Sequence, residues 1–115
     1  MTKVYRDIAR SISTSVRKLR AGIPETMKGF DAMSNSALRE GALSEKTKEL
    51  IALAIGVAGH CDGCIAFHLK ALIRLGVTRT EIEEGLGVAI YMGGGPSLMY
   101  AADALTAFEE LSAAN

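Results

Sequence analysis

The residues of this chain best suited to chemistry lie in Cys61-Asp62-Gly63-Cys64-Ile65-Ala66-Phe67-His68. On a helix, positions 61, 64 and 68 differ by three and four, so their side chains share one face. The pattern predicts a helix from about Asp62, with Cys61 at or just before its start. Unpaired backbone N–H groups and the helix dipole favour an anion there, which lowers a thiol's pKa. Cys64 is one turn from His68, an imidazole placed to accept its proton. Two cysteines two residues apart can close a disulfide with little backbone movement. The loop so closed is very short and adds little stability, which points to redox use over stapling.

Glu49 is the fourth candidate. It stands twelve residues before Cys61, near the start of an otherwise apolar helix, where an unpaired carboxylate is costly. Its natural partner is an imidazole or an N–H donor. A short turn around His60-Cys61 predicts two antiparallel helices, with Glu49 farther from the turn than His68. At a rise of about 1.5 Å per residue the two are offset by several ångströms, so spacing alone leaves their contact open. Singly, His68 fits an ordinary helix histidine and Glu49 a first-turn acid; beside both cysteines, a shared proton relay is the better account.

Other chemistries fit less well. Cys61, Cys64, His68 and His60 offer four potential zinc ligands, but a second ligand pair is missing and the adjacent His60 and Cys61 suit a tetrahedron poorly. No bound metal or cofactor is expected. Covalent haem attachment needs His directly after the second cysteine, where Ile65 stands. A thioredoxin-like site needs a preceding strand, and none is visible. Gly93-Gly94-Gly95 lacks the Lys-Ser/Thr tail of a phosphate loop and the Rossmann spacing, so a tight turn is expected. Met92, Met99 and Tyr100 are expected in the core.

The elements that must position these residues are helical. Val4, Ile8, Ile12, Val16 and Leu19 fall at helical spacing over residues 4–20. Gly22-Ile23-Pro24 breaks that stripe, and Pro24 suits the first turn of a second helix to about Arg39. The apolar positions of this helix, Met27, Phe30, Met33 and Ala37, are sparse, which leaves it partly exposed or covered by a partner. Ser44 caps a third helix, Glu45 to about Gly59, apolar on nearly every side from Leu50 to Ala58. Gly56 and Gly59 would cost about 1 kcal/mol each in a helix interior. They are acceptable where a neighbour comes close or the helix ends. The fourth helix runs to Leu75 and stops at Gly76. Thr78-x-x-Glu81 is a capping box for a fifth, with Ile82, Leu86, Ala89 and Ile90 inward. Pro96 opens a sixth to about Ser112, with Leu98, Ala101, Leu105, Phe108 and Leu111 on one face. No segment alternates with period two. The expected fold is all-α, about six helices in one domain over 1–115, with N-terminal helices in 1–43 and a catalytic core in 44–112.

Composition agrees. The 115 residues suit one domain, and with 5% aromatics and no Trp the core must be Leu, Ile, Val, Ala and Met. The formal net charge is zero, so no global field favours nucleic acid or an anionic membrane. Charge is nevertheless uneven. The first twenty residues hold Lys3, Arg6, Arg10, Arg17, Lys18 and Arg20 against Asp7, and every charged residue after Arg79 is acidic. These are expected to be solvated helix faces, free to meet in the fold or in an oligomer. There is no run of about 18 apolar residues and no secretory h-region. A cytoplasmic setting is expected, where close cysteines are more often catalytic or metal-binding than structural.

Residues 44–111 resemble the carboxymuconolactone decarboxylase superfamily, specifically its alkylhydroperoxidase D-like branch. The resemblance lies in Glu45-Lys46-Thr47-Lys48-Glu49-Leu50-Ile51-Ala52-Leu53-Ala54, Cys61-x-x-Cys64-x-x-x-His68, Gly76-Val77-Thr78 with Glu81-Ile82, and Met92-Gly93-Gly94-Gly95-Pro96. It implies an all-α fold assembled as trimers or hexamers. It also implies a peroxidase acting on hydroperoxides through a Cys61–Cys64 disulfide. Cys64 would be the peroxidatic thiol, His68 its activator, Glu49 the end of the proton relay and Cys61 the resolving thiol. A dithiol protein, lipoyl-bearing or thioredoxin-like, would be the reductant. Some members carry a second histidine between the cysteines, where this chain has Asp62 and Gly63. The decarboxylase branch typically lacks the cysteine pair, so the pair argues against a lactone decarboxylase or related lyase. A redox-sensing oligomer without a substrate of its own is the other alternative.

Overall fold

Local chemistry sets where each helix starts and stops. The computed structural model describes residues 3–113, and its helices are α1 (Tyr5–Gly22), α2 (Pro24–Leu38), α3 (Glu45–Ala58), α4 (Asp62–Arg74), α5 (Arg79–Gly93) and α6 (Gly95–Ala113). No strand occurs among the described residues. Pro24 sits in the first turn of α2, where no N–H is needed. Ser44 Oγ accepts from the Thr47 N–H to cap α3. At α5 both halves of the capping box form: the Glu81 N–H donates to Thr78 Oγ1 at 3.1 Å, and the Thr78 N–H donates to Glu81 Oε1 at 2.9 Å. The glycine run is tighter than expected. Gly93 still ends α5 and Gly95 already starts α6, with only Gly94 between them. Its φ of 75° and ψ of −156° are open to glycine alone.

The core forms where α3 packs on α4, α5 and α6, and α4 on α1 and α6. Leu53 and Val57 of α3, Ile65, Leu69 and Leu72 of α4, and Ile82 of α5 are fully buried. Each such side chain contributes roughly 1.5–3 kcal/mol through burial. Two expected faces are corrected. The inner face of α6 is Ser97, Ala101, Ala104, Ala107 and Leu111, while Leu98 is exposed and Leu105 and Phe108 lie at its edge. Ala101 and Leu111 are inward as expected; small side chains let α6 approach its neighbours, so Ser97, Ala104 and Ala107 complete the face in place of Leu98, Leu105 and Phe108. On α1 the buried residues are Tyr5 and Ala9; Ile8, Ile12 and Val16 are half-buried, and Val4 and Leu19 are exposed. Met92 and Met99 are also exposed rather than in the core.

The basic start of the chain meets its acidic end within the subunit. The Tyr5 and Arg6 backbone N–H groups donate to the two carboxylate oxygens of Glu110, and Lys3 pairs with Asp103 at 3.0 Å. α2 differs from every other helix in burying no residue. Among the described residues no helix is long and apolar enough to cross a membrane.

Candidate active site

The turn between α3 and α4 is built by backbone hydrogen bonds. The Gly59 N–H donates to Ile55 O at 2.8 Å, the His60 N–H to Val57 O at 3.1 Å, and the Cys61 N–H to Gly56 O at 2.9 Å. His60 takes a left-handed φ of 57°, uncommon for a residue with a side chain. This turn delivers Cys61 to the N-cap of α4, where its Sγ accepts from the Cys64 N–H at 3.1 Å. Cys61 and Cys64 are joined as a disulfide. Both sulfurs therefore lie in the first turn of α4, where backbone N–H groups and the dipole stabilise negative charge.

Gly56 explains how α3 and α4 come so close. A Cβ at Gly56 would lie 2.9 Å from Cys64 Cβ, a separation real side chains do not tolerate. Gly59 is the C-cap of α3, so both glycines sit where a close neighbour or a helix end requires them.

The Gly56–Cys64 contact also fixes the register of Glu49 against His68. His68 lies four residues beyond Cys64 and Glu49 seven before Gly56, an axial offset of three residues, or about 4.5 Å. A glutamate side chain spans that distance. The contact left open by spacing is made directly, with His68 Nδ1 and Glu49 Oε1 2.6 Å apart. The Glu49 side chain is only 5% exposed, against 27% for His68. An ionised Glu49 accepts from Nδ1–H, which leaves Nε2 as the basic nitrogen of the ring. All four candidate residues thus belong to one α3–α4 unit. Cys61, Cys64 and His68 share a face of α4, and Glu49 backs His68 from α3. Glu49 also borders an open cleft of about 380 Å³ walled by Asn35, Leu38, Arg39, Glu45 and Arg74.

A second set of side chains surrounds the start of α4. Asp62 Oδ1 accepts from Lys3 Nζ at 3.0 Å and from the Tyr5 hydroxyl at 3.1 Å. The His60 ring stacks on Tyr100 with centroids 4.7 Å apart and planes within 9°, and Lys3 Nζ lies 4.6 Å from the same Tyr100 ring. His60 is thereby turned to α6. Among the described residues no three His, Cys, Asp or Glu side chains are grouped so as to hold a metal ion. Lys3 and Tyr5 carry no local signal for this role: they reach Asp62 across 59 and 57 residues of sequence.

Comparison with known proteins identifies the family and its fold. An apo carboxymuconolactone decarboxylase family protein from Legionella pneumophila has a crystal structure similar to this chain at a TM-score of 0.92 and 54% identity, over 94% of this chain and 96% of that one. A family protein from Thermotoga maritima, for which a part in an antioxidative response has been suggested, matches at a TM-score of 0.76 and 30% identity, over 88% and 89%. An uncharacterised protein of Cupriavidus necator is 41% identical over 90 residues, 78% of this chain and 80% of its own length. The pattern that defines the carboxymuconolactone decarboxylase family matches residues 24–107, α2 through most of α6. With that match spanning most of its length, the chain belongs to the carboxymuconolactone decarboxylase family.

Proposed function

We propose that the protein is a thiol-dependent peroxidase of the alkylhydroperoxidase D-like kind, reducing hydroperoxides through the Cys61–Cys64 pair. The observation that carries this is the α3–α4 unit. Its disulfide lies at a helix N-terminus, and a histidine one turn along is held by a buried glutamate at 2.6 Å. In the reduced protein His68 Nε2 takes the Cys64 thiol proton while Glu49 holds the imidazole in the required tautomer. The Cys64 thiolate attacks the peroxide O–O bond, forming a sulfenic acid, and the alkoxide leaves with the proton from His68 as an alcohol. The Cys61 thiol then condenses with the sulfenic acid, releasing water and closing the disulfide. A dithiol protein, lipoyl-bearing or thioredoxin-like, returns the two electrons. The antioxidative part suggested for the Thermotoga maritima relative supports this assignment.

Stopped-flow oxidation by peroxide, with and without a dithiol, tests it. Wild type oxidises and turns over. Cys64→Ser loses the first step. Cys61→Ser reacts once and stalls as the sulfenic acid. Equal turnover in Cys64→Ser overturns the assignment, and lactone decarboxylation that survives alkylation of both thiols favours a lyase instead.

The working form is proposed to be a homo-oligomer, a trimer or hexamer. Ile51 and Ile55 on α3, Val88, Tyr91 and Met92 on α5, and Met99 on α6 are all exposed, Tyr91 at 84%. Such apolar surface suits contact between copies. Sedimentation velocity reads the mass directly.

A further inference from the structure

We propose that Lys3 and Tyr5 tune the reduction potential of the Cys61–Cys64 pair by neutralising Asp62, the carboxylate at the first helical position between the two sulfurs. The tuning presupposes the redox role proposed above. It assigns a purpose to the N-terminal arm, which the peroxidase mechanism does not use.

Reduction of the disulfide replaces two neutral sulfurs by a dithiol that ionises to a thiolate. A carboxylate beside the thiolate opposes that ionisation and stabilises the disulfide. A cation or hydroxyl bound to the carboxylate offsets the effect. Asp62 Oδ1 receives both, at 3.0 and 3.1 Å. The donors are held in place from elsewhere. Tyr5 is buried, its backbone N–H is tied to Glu110, and Lys3 is shared with Asp103 on α6 and lies over Tyr100. Tyr100 in turn stacks on His60, the residue before Cys61. Lys3 and Tyr5 are also held protonated above their ordinary ranges, Lys3 chiefly by its bond to Asp103 and Tyr5 chiefly by burial. Both therefore stay constant while the thiols titrate. Lys3 and Tyr5 are positioning residues that act through Asp62.

The test is the dithiol–disulfide equilibrium against a glutathione or dithiothreitol buffer at pH 6 and pH 9. The proteins are wild type, Lys3→Met, Lys3→Arg, Tyr5→Phe, Asp62→Asn and the Lys3→Met/Asp62→Asn double variant. Tyr100, Asp103 and Glu110, which contact Lys3 or Tyr5, His60, which stacks on Tyr100, and the His68–Glu49 pair are common to all, so differences between variants isolate Asp62 and its donors. At pH 9, Lys3→Met shifts the equilibrium about five- to tenfold toward disulfide, or roughly 20–30 mV more negative. Tyr5→Phe shifts it less in the same direction, Asp62→Asn shifts it the other way, and Lys3→Arg restores the wild-type potential. In the Asp62→Asn background, Lys3→Met loses most of its effect. At pH 6, where a smaller share of the thiol is ionised than at pH 9, the shifts are smaller. Equal potentials in all variants, additive shifts in the double variant, or an equal shift at both pH values overturn the proposal. A wild-type pair that takes up no electrons reversibly from either buffer overturns the redox role itself, a separate outcome.

Discussion

α2 and α3 are consecutive helices of nearly equal length, 15 and 14 residues, yet they are used in opposite ways. α3 buries Glu49, Leu53, Gly56 and Val57, and one of these is a carboxylate held against His68. α2 buries nothing and leaves Phe30 and Met33 exposed, Phe30 at 57%. The difference lies in what each helix meets. α3 touches α4 so closely at Gly56 that no side chain fits between them, and this contact fixes the relay to within a fraction of a turn. α2 rests lightly on α1 and α3 and carries an apolar edge that its own subunit does not cover. The geometry of the candidate site therefore depends on close packing of α3 with α4, whereas α2 leaves apolar side chains exposed.

The largest effect that breaks this contrast is expected at Gly56. Gly56→Ala places a methyl 2.9 Å from Cys64 Cβ, and both atoms lie close to the backbone, so α3 and α4 must separate. Overpacking of this kind costs about 1–3 kcal/mol. The separation also lengthens the His68–Glu49 hydrogen bond. Urea melts of the oxidised protein read the stability. The rate of thiol oxidation by peroxide reads the site, and it is expected to fall more steeply than the fraction folded. A variant with wild-type stability and rate would show that the Gly56–Cys64 approach does not set the register.

The same contact marks how far the sequence could be read. Helix starts were legible because their chemistry is local: Pro24 in the first turn of α2, Ser44 at α3, and Thr78 with Glu81 at α5. Glu49, Cys61, Cys64 and His68 were each identifiable by type and spacing. The 2.6 Å contact was not, because it depends on where two helices cross, and that is fixed by a missing Cβ. The inner face of α6 was misplaced because periodicity was followed through Leu98, Leu105 and Phe108. Ala101 and Leu111 of that stripe are buried as expected, and close packing adds Ser97, Ala104 and Ala107 in place of the three larger residues. The Lys3–Asp62 and Tyr5–Asp62 bonds leave no local trace, since they join residues nearly sixty apart.

A smaller effect sharpens the comparison at α1, whose first turn docks on α4 through Tyr5 and Asp62 and whose far end leads into α2. Tyr5→Phe keeps the buried ring and removes the hydroxyl that donates to Asp62 Oδ1 at 3.1 Å. At pH 8 the loss is about 1 kcal/mol. Burial first, and then the hydrogen bond to Asp62, hold the Tyr5 hydroxyl above its ordinary value of 10.0. The folded protein keeps this proton at a pH where the unfolded chain releases it. Its contribution is therefore complete below about pH 10 and is lost as the pH rises beyond that. Urea melts of wild type and Tyr5→Phe should differ at pH 8 and converge above pH 10. A gap that stays constant would show that the hydroxyl titrates alike in the folded and the unfolded chain, and no gap at pH 8 would assign the stability to ring packing alone.

The smallest effect is expected on α2 and decides what covers it. Phe30 has no buried neighbour on its own helix and is itself more than half exposed. In a lone subunit, Phe30→Ala should change stability by no more than about 0.5 kcal/mol, as surface substitutions do. If copies pack on α2, folding and association are linked, and the cost grows with protein concentration. Urea melts at low and high protein concentration, paired with sedimentation at both, separate the two situations. The expected result is a near-silent change in the dilute protein and a measurable loss, with a lighter species in sedimentation, in the concentrated one. A silent change at both concentrations would leave α2 outside the contact between copies and confine that contact to the exposed residues of α3, α5 and α6.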